Sequence, residues 1–217
     1  TYKDLLQVSN SNTGITATAT AVSDGEGTAS LLYLSTTEVY SPGRGGTGNT
    51  VYGDNAGQGL ASGGSYNVAL GHDALRVTTT GNYNIAIGHN ALELNVASHY
   101  NTAIGKSAMY ANISGTENTA VGASVMDANT SGSYNSAFGR NALGANTSAI
   151  ENTAIGYSAL LTNTDVNNNT AVGFESLKLN LSGAGNVAVG AYASKNNTSG
   201  SNNTAIGRGC NAKLHLI

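Results

Sequence analysis

The histidines are the residues of this chain best suited to binding a metal ion. His72 and His89 lie 17 residues apart, and His215 lies close to the C-terminal end of the sequence. A zinc site needs three or four ligands that converge on one point. No further ligands of suitable spacing accompany this pair, although symmetry could bring copies of His215 together in an oligomer. We therefore expect exposed histidines and no metal site.

Acidic residues and glycine-rich segments give no better case for catalysis. Asp and Glu are scattered without the pairing that glycoside hydrolysis requires, and no Ser/His/Asp set recurs. Arg44 lies in the glycine-rich stretch 43–48, but the Gly-x-x-x-x-Gly-Lys-Ser/Thr pattern of a phosphate-binding loop is absent. The sequence therefore predicts no catalytic site, no cofactor and no enzymatic activity.

Composition excludes several further classes. Charged residues make up 10% of the chain and the net charge is −3, whereas a typical globular domain has about 25% charged residues. No Lys/Arg cluster suggests a nucleic-acid partner, and no apolar run approaches the roughly 18 residues of a membrane span. The lone Cys210 cannot form an intrachain disulfide. The N-terminus lacks the basic and apolar regions of a secretory signal.

An internal repeat dominates the sequence. The pentapeptide Asn-x-Ala-(apolar)-Gly recurs every 17 residues in nine copies, and a degenerate copy at Asn49 precedes them by 18 residues. The nine copies begin at Asn67, Asn84, Asn101, Asn118, Asn135, Asn152, Asn169, Asn186 and Asn203. A period in this range is typical of repeat architectures, in which neighbouring units stack on one another.

Positions are numbered here from the repeat asparagine. Position 3 is Ala, position 5 is Gly and position 4 is apolar in all nine copies, position 8 is small, and position 9 is Leu or Met in the first seven. No charge occurs at positions 1–5, 8 or 9. This partition predicts that positions 3, 4, 8 and 9 are buried, with Cys210 as a small buried residue at position 8.

Seventeen residues suit one coil of a β-solenoid with two short strands and two turns. They are too few for a helix pair, and Gly and Asn are poor helix formers. The first strand is expected at Asn-Thr-Ala-Ile and the second near positions 8 and 9. Gly at position 5 supplies a conformation that other residues adopt only at a cost. Asn at position 1 suits a turn and the left-handed region, and its copies should stack as a ladder.

The thin core predicts an oligomer. One coil has about four apolar side chains, two of them Ala. Burying one Ile or Leu contributes ~1.5–3 kcal/mol, whereas ordering each backbone residue costs ~1–2 kcal/mol. Association of several chains around a common axis would supply the missing stabilisation.

The sequence divides into residues 1–48, a small irregular β module with a glycine-rich linker, and residues 49–217, the solenoid. Strands are expected at Ile15–Val22, Leu31–Leu34 and Val39–Tyr40, with a turn at Ser23–Gly27. The module is interpreted as a cap or an attachment segment.

Two rows of residues are candidate binding surfaces. Position 6 forms a basic and aromatic row that could contact glycans, or simply line the outside of a turn. Its members are His72, His89, Lys106, Ala123, Arg140, Tyr157, Phe174, Ala191 and Arg208. Tyr66, Tyr83, Tyr100 and Tyr134 precede the repeat asparagine and predict an aromatic ladder, for which structural support is the favoured role over ligand binding.

The segments Asn101–Met109 and Asn152–Leu160 resemble the NTAIGxxAL repeats of bacteriophage tail fibres. Such repeats often precede an endosialidase-type chaperone domain, and none follows in this sequence. They are also similar to the heads of YadA-type trimeric adhesins, which are left-handed parallel β-rolls. Tyr2–Val8 and Ala21–Thr28 resemble the start of virion structural proteins.

The resemblance implies an all-β, left-handed parallel solenoid that assembles as a homotrimer. It further implies a structural and adhesive fibre on the virion tail, extracellular, with other tail proteins and a host-surface glycan or protein as partners. The alternative is the head of a bacterial trimeric adhesin, although the repeat here is longer and neither a signal peptide nor a C-terminal barrel is seen. An ice-binding solenoid would need unbroken Thr rows, which Val68, Ile85 and Val187 interrupt at position 2.

Overall fold

The computed structural model describes residues 20–23, 29–34, 46–60 and 63–211. Strands β1 (Thr20–Ser23) and β2 (Ala29–Leu34) form an antiparallel pair with Thr20 opposite Leu34. These strands overlap two of the three predicted for the first module. Of the predicted turn Ser23–Gly27, Ser23 belongs to β1 and residues 24–27 lie outside the described residues. The predicted strand Val39–Tyr40 and Arg44 also lie outside them.

Ten short strands form one parallel sheet. Each strand occupies repeat positions 2–4 and pairs with the equivalent residues of its neighbours in sequence order. The strands are β3 (Thr50–Tyr52), β4 (Val68–Leu70), β5 (Ile85–Ile87), β6 (Thr102–Ile104), β7 (Thr119–Val121), β8 (Ser136–Phe138), β9 (Thr153–Ile155), β10 (Thr170–Val172), β11 (Val187–Val189) and β12 (Thr204–Ile206). The prediction of an all-β parallel solenoid of 17-residue coils is confirmed.

Each coil has one strand rather than the two that were expected. Positions 5–12 instead form two successive turns, in which Ala108 N donates to Gly105 O at 3.2 Å and Asn112 N donates to Met109 O at 3.2 Å. The backbone there is not extended, because Ser107 and Met109 have φ of 55° and 49°. On this side of the coil, the turn side, consecutive coils are still joined by backbone hydrogen bonds. For example, Met109 N donates to Val125 O at 2.9 Å.

Position 9 combines a left-handed backbone with a fully buried side chain. Leu92, Met109 and Leu143 have φ of 49–50° and are 0% exposed. A left-handed backbone costs ~1–2 kcal/mol in a residue with a Cβ, whereas burying a Leu or Met side chain contributes ~1.5–3 kcal/mol. Burial therefore outweighs the strain, since this backbone turns the side chain into the thin core.

Gly at position 5 is required for two reasons. Gly156 has φ of 134°, and a Cβ built on it would lie 2.4 Å from the carbonyl oxygen of Gly173 in the next coil. These glycines lie directly above one another in successive coils, so a side chain at this position would collide with the backbone of the next coil. The predicted role of this glycine is confirmed.

Candidate interaction surfaces

The repeat asparagine forms a buried hydrogen-bonded ladder through the solenoid. Asn101 donates from its backbone N and from Nδ2 to Asn84 Oδ1 at 3.0 and 3.2 Å, and Nδ2 also donates to Gly115 O at 2.9 Å. The expected ladder is therefore present. The expected left-handed conformation belongs instead to the preceding residue, for example Tyr100 with φ of 58°. The asparagine lies inside the coil because its amide joins consecutive coils.

A second asparagine ladder at position 12 was missed from the sequence. Asn129 Nδ2 donates to Asn112 Oδ1 at 2.8 Å and to Gly132 O at 3.0 Å. The ladder members are Asn95, Asn112, Asn129, Asn146, Asn163, Asn180 and Asn197. Their signal was available, since asparagine holds one position in seven successive coils, as at position 1. The ladder is interrupted once, where the buried Oδ1 of Asn146 has no partner.

The outer sheet face, formed by positions 2 and 4 of the strands, corrects a prediction. Position 3 is buried as expected, and Ala154 is 0% exposed. Position 4 was expected to be buried as well, but Phe138 and Ile155 are 40% and 41% exposed. Successive side chains of a strand point to opposite faces, so only position 3 can enter the core of a three-residue strand. The solenoid thus carries an apolar stripe on its surface along every coil.

A second group of exposed apolar residues lies at position 13, on the turn side. It includes Val96, Ile113 and Leu181, which are exposed. Thr130, Thr147 and Thr164 occupy the same position in intervening coils. This second group is therefore broken into separate parts, whereas the apolar stripe on the sheet is continuous at position 4.

Row 6, the residues at position 6, borders one side of the outer sheet face. Eight of the nine predicted members are exposed and Ala191 is half-buried. Neighbouring rings stack, with centroids 5.2 Å apart for His72 and His89 and 5.1 Å apart for Tyr157 and Phe174. The predicted outward orientation of this row is confirmed.

Row 17, the residues just before each repeat asparagine, borders the opposite side of the outer sheet face. Tyr66, Tyr83 and Tyr100 form the predicted ladder, with successive ring centroids 5.1 Å apart and nearly parallel planes. The stack covers both faces of the Tyr83 ring but only one face of Tyr66 and of Tyr100. Glu117 replaces Tyr in the next coil, and Tyr134 returns in the coil after it.

His72 and His89 lie beside few metal-binding side chains. His72 Nδ1 lies 2.9 Å from Asp73 Oδ2, and His72 Nε2 lies 3.6 Å from Asp54 Oδ2. Among the described residues, no group of three or more His, Cys, Asp or Glu side chains is arranged to hold a metal ion. His215 lies outside the described residues. The two rings are thus a stacked surface feature, and His72 is held beside two carboxylates.

Ion pairs join neighbouring coils on the turn side. Glu175 accepts from Lys178 Nζ at 2.7 Å and lies 2.6 Å from Lys195 Nζ in the next coil. Hydrogen bonds from these two lysines hold the pKa of the Glu175 carboxyl below its usual value. Arg76 pairs with Glu93 of the next coil, and this carboxylate raises the pKa of the guanidinium.

Cys210 corrects a further prediction. It occupies position 8 but is exposed, whereas Ala159 at the same position is buried. Position 8 is covered by the coil that stacks on it, and residues 46–60 and 63–211 contain no coil beyond the one that carries Cys210. Burial at this position is thus a property of stacking rather than of the coil itself.

Comparisons with known proteins add no assignment. In the part of the chain that the structure describes, no helix is long and apolar enough to cross a bilayer. No family description, curated protein or solved structure matches the chain.

Proposed function

We propose that this chain is a structural and adhesive segment of a trimeric phage tail fibre that links the virion to a receptor on the host surface. The observation that carries the proposal is the outer sheet face. Position 4 is apolar in nine consecutive coils and is nowhere fully buried in the single chain. Large contiguous apolar surfaces on soluble proteins mark interaction sites. Three copies that turn this face towards a common axis would bury it.

The proportions of the solenoid suit a fibre. Ten in-register strands give nine steps of about 4.8 Å, or roughly 43 Å of rod. The core of each coil is narrow, since Ala fills position 3 and one Leu or Met fills position 9 in most coils. A thin rod with an apolar side is stabilised by lateral association. The NTAIGxxAL-like segments support placing this rod in a tail fibre.

The partners of such a fibre segment are two further copies of the chain, other tail proteins, and a glycan or protein on the host surface. Its location is the virion tail, outside the cell. The head of a bacterial trimeric adhesin is the second candidate, because the same Asn-x-Ala-x-Gly coil would serve either. A tail-fibre segment is carried by phage particles, whereas an adhesin head is carried by the bacterial cell surface.

Labelling with an antibody raised against the solenoid distinguishes these functions. The antibody should decorate tail fibres of phage particles released from the source culture, as seen by electron microscopy. Cells that release no phage should remain unlabelled. Labelling of the surface of such cells, with none on phage particles, would overturn the tail-fibre proposal in favour of the adhesin.

A further inference from the structure

The two rows that border the outer sheet face carry charges that form no ion pair with the described residues of their own chain. Lys106 and Arg140 in row 6 and Glu117 in row 17 are exposed. None of these three side chains takes part in an ion pair among the described residues. On the turn side, in contrast, Arg76 and Lys178 are paired with carboxylates. The charges of these two rows are thus available to a partner beside the sheet.

The spacing of the two charge sets matches. Lys106 and Arg140 are two coils apart, and Glu117 and Glu151 are also two coils apart. The chain climbs about 4.8 Å per coil, so height along the axis follows residue number. Lys106 therefore lies at a height between Tyr100 and Glu117, and Arg140 lies at a height between Tyr134 and Glu151. Each cation thus lies in height between one tyrosine and one carboxylate of row 17, less than one coil from either.

Residue sizes in the two rows also complement each other. Row 17 has large side chains in the earlier coils, where the smaller His89 of row 6 lies in height between Tyr83 and Tyr100. Row 6 becomes bulky later, where Tyr157 and Phe174 stack and row 17 falls to Asn168 and then Gly185. In these coils the two rows together would fill a gap of more nearly constant width than either row alone.

Within one chain these two rows cannot meet. Five residues, including the whole strand, separate a row 17 residue such as Tyr100 from Lys106. Largely extended backbone of that length spans roughly 15–20 Å. Complementarity at equal height is therefore useful only between copies. In a cyclic assembly, equivalent residues of all copies share one height, and opposite borders of the same face meet.

We infer that row 6 of each copy packs against row 17 of the next, with Lys106 facing Glu117 and Arg140 facing Glu151. The inference rests on the trimer in the proposed function and adds the residues that fix the axial register of the copies. The tyrosine just below each carboxylate also offers its ring to the cation. Row 6 then contacts a neighbouring copy rather than a receptor glycan.

Cross-linking of the intact 217-residue chain tests the contact. Lys106→Cys and Glu117→Cys are introduced together in a Cys210→Ser background and treated with a short bis-maleimide. We expect covalent dimers and trimers on denaturing gels. The matched control, Lys106→Cys with Glu151→Cys, places the cysteines two coils further apart and should yield monomers. Equal cross-linking in both variants, or none in the first, would overturn the inferred register.

Charge reversal gives an independent readout. Glu117→Lys with Glu151→Lys should raise the concentration at which the trimer half-dissociates by about tenfold or more, because like charges then face each other. Adding Lys106→Glu and Arg140→Glu should restore association. If the native chain is trimeric and the fourfold variant is no better than the double variant, the inference fails while the trimer stands. A monomeric native chain would contradict both.

Discussion

Asn129 illustrates what a single buried amide does in this solenoid. Its Nδ2 donates to the preceding coil and to Gly132 O of its own coil, and its Oδ1 accepts from Asn146 Nδ2 at 2.7 Å. If one coil shifted by one residue relative to the next, the buried amides would have donors and acceptors without partners. The ladders therefore specify register, which an apolar core of Ala and Leu specifies only loosely.

Replacing Asn129 with Ala should destabilise the fold by about 2–6 kcal/mol, because the buried Asn112 Oδ1 and Asn146 Nδ2 each lose their bond to Asn129, at about 1–3 kcal/mol each. Asn196→Ala, at an exposed asparagine, is the matched control and should change the free energy of unfolding by less than about 0.5 kcal/mol. Denaturant unfolding followed by circular dichroism measures both. Similar small losses in the two variants would show that the ladder adds little.

Ala154 tests the tightness of the core at position 3. It is fully buried, whereas Tyr157 at position 6 is 40% exposed. Ala154→Leu should lower the free energy of unfolding by about 1–3 kcal/mol per chain, because overpacking strains a tight site. Tyr157→Leu should be mild. Equal shifts in melting temperature for the two variants would mean that the inside of the coil is assigned to the wrong residues.

At the scale of the coil, stacking depends on contacts that cross from one 17-residue unit to the next. Glu175 joins two coils because Lys178 belongs to its own coil and Lys195 to the following one. Its pKa is lowered, so its carboxylate is favoured in the folded state. This contribution to stability is present above the unfolded-state pKa and is lost as the pH falls through the lower folded-state pKa.

Glu175→Gln should therefore be most destabilising near neutral pH. The difference in free energy of unfolding between the native chain and the variant should shrink as the pH falls below the usual value of 4.5. The comparison must be made by difference, since burial raises the pKa of Asp127 and this group has the opposite pH dependence. If the difference in free energy of unfolding does not vary from pH 7 to about pH 3, the two lysines do not stabilise the Glu175 carboxylate.

The period of 17 predicted the parallel sheet, the asparagine ladder at position 1 and the role of Gly at position 5. The period did not predict the two turns that replace the second expected strand. Leu and Met do not favour a left-handed backbone, so the residue types at Leu92 and Met109 give no sign of it. The absence of charge at position 4 predicts burial in the core, whereas the structure places these side chains on the outer sheet face. A surface that packs against another molecule also excludes charge, because charges there would lose their contact with water. The sequence pattern is therefore the same for a core position and for an interface position.

For the whole molecule, the outer sheet face is the surface that needs a partner. Ile155→Lys places a charge at 41% exposure on that face, and Leu181→Lys places one at 55% exposure on the turn side. The first variant should dissociate the assembly, because three copies of the charge would approach the common axis. The second should leave it intact. Light scattering measures the mass of both, and dissociation by Leu181→Lys alone would place the interface on the turn side.

Sedimentation equilibrium of the intact native chain tests the central claim most directly. The account predicts a species of three times the chain mass of 21.8 kDa that persists on dilution through the micromolar range. Circular dichroism of the same sample should show β structure. A folded species that sediments at the mass of one chain at every concentration would contradict the claim that the outer sheet face is buried between copies.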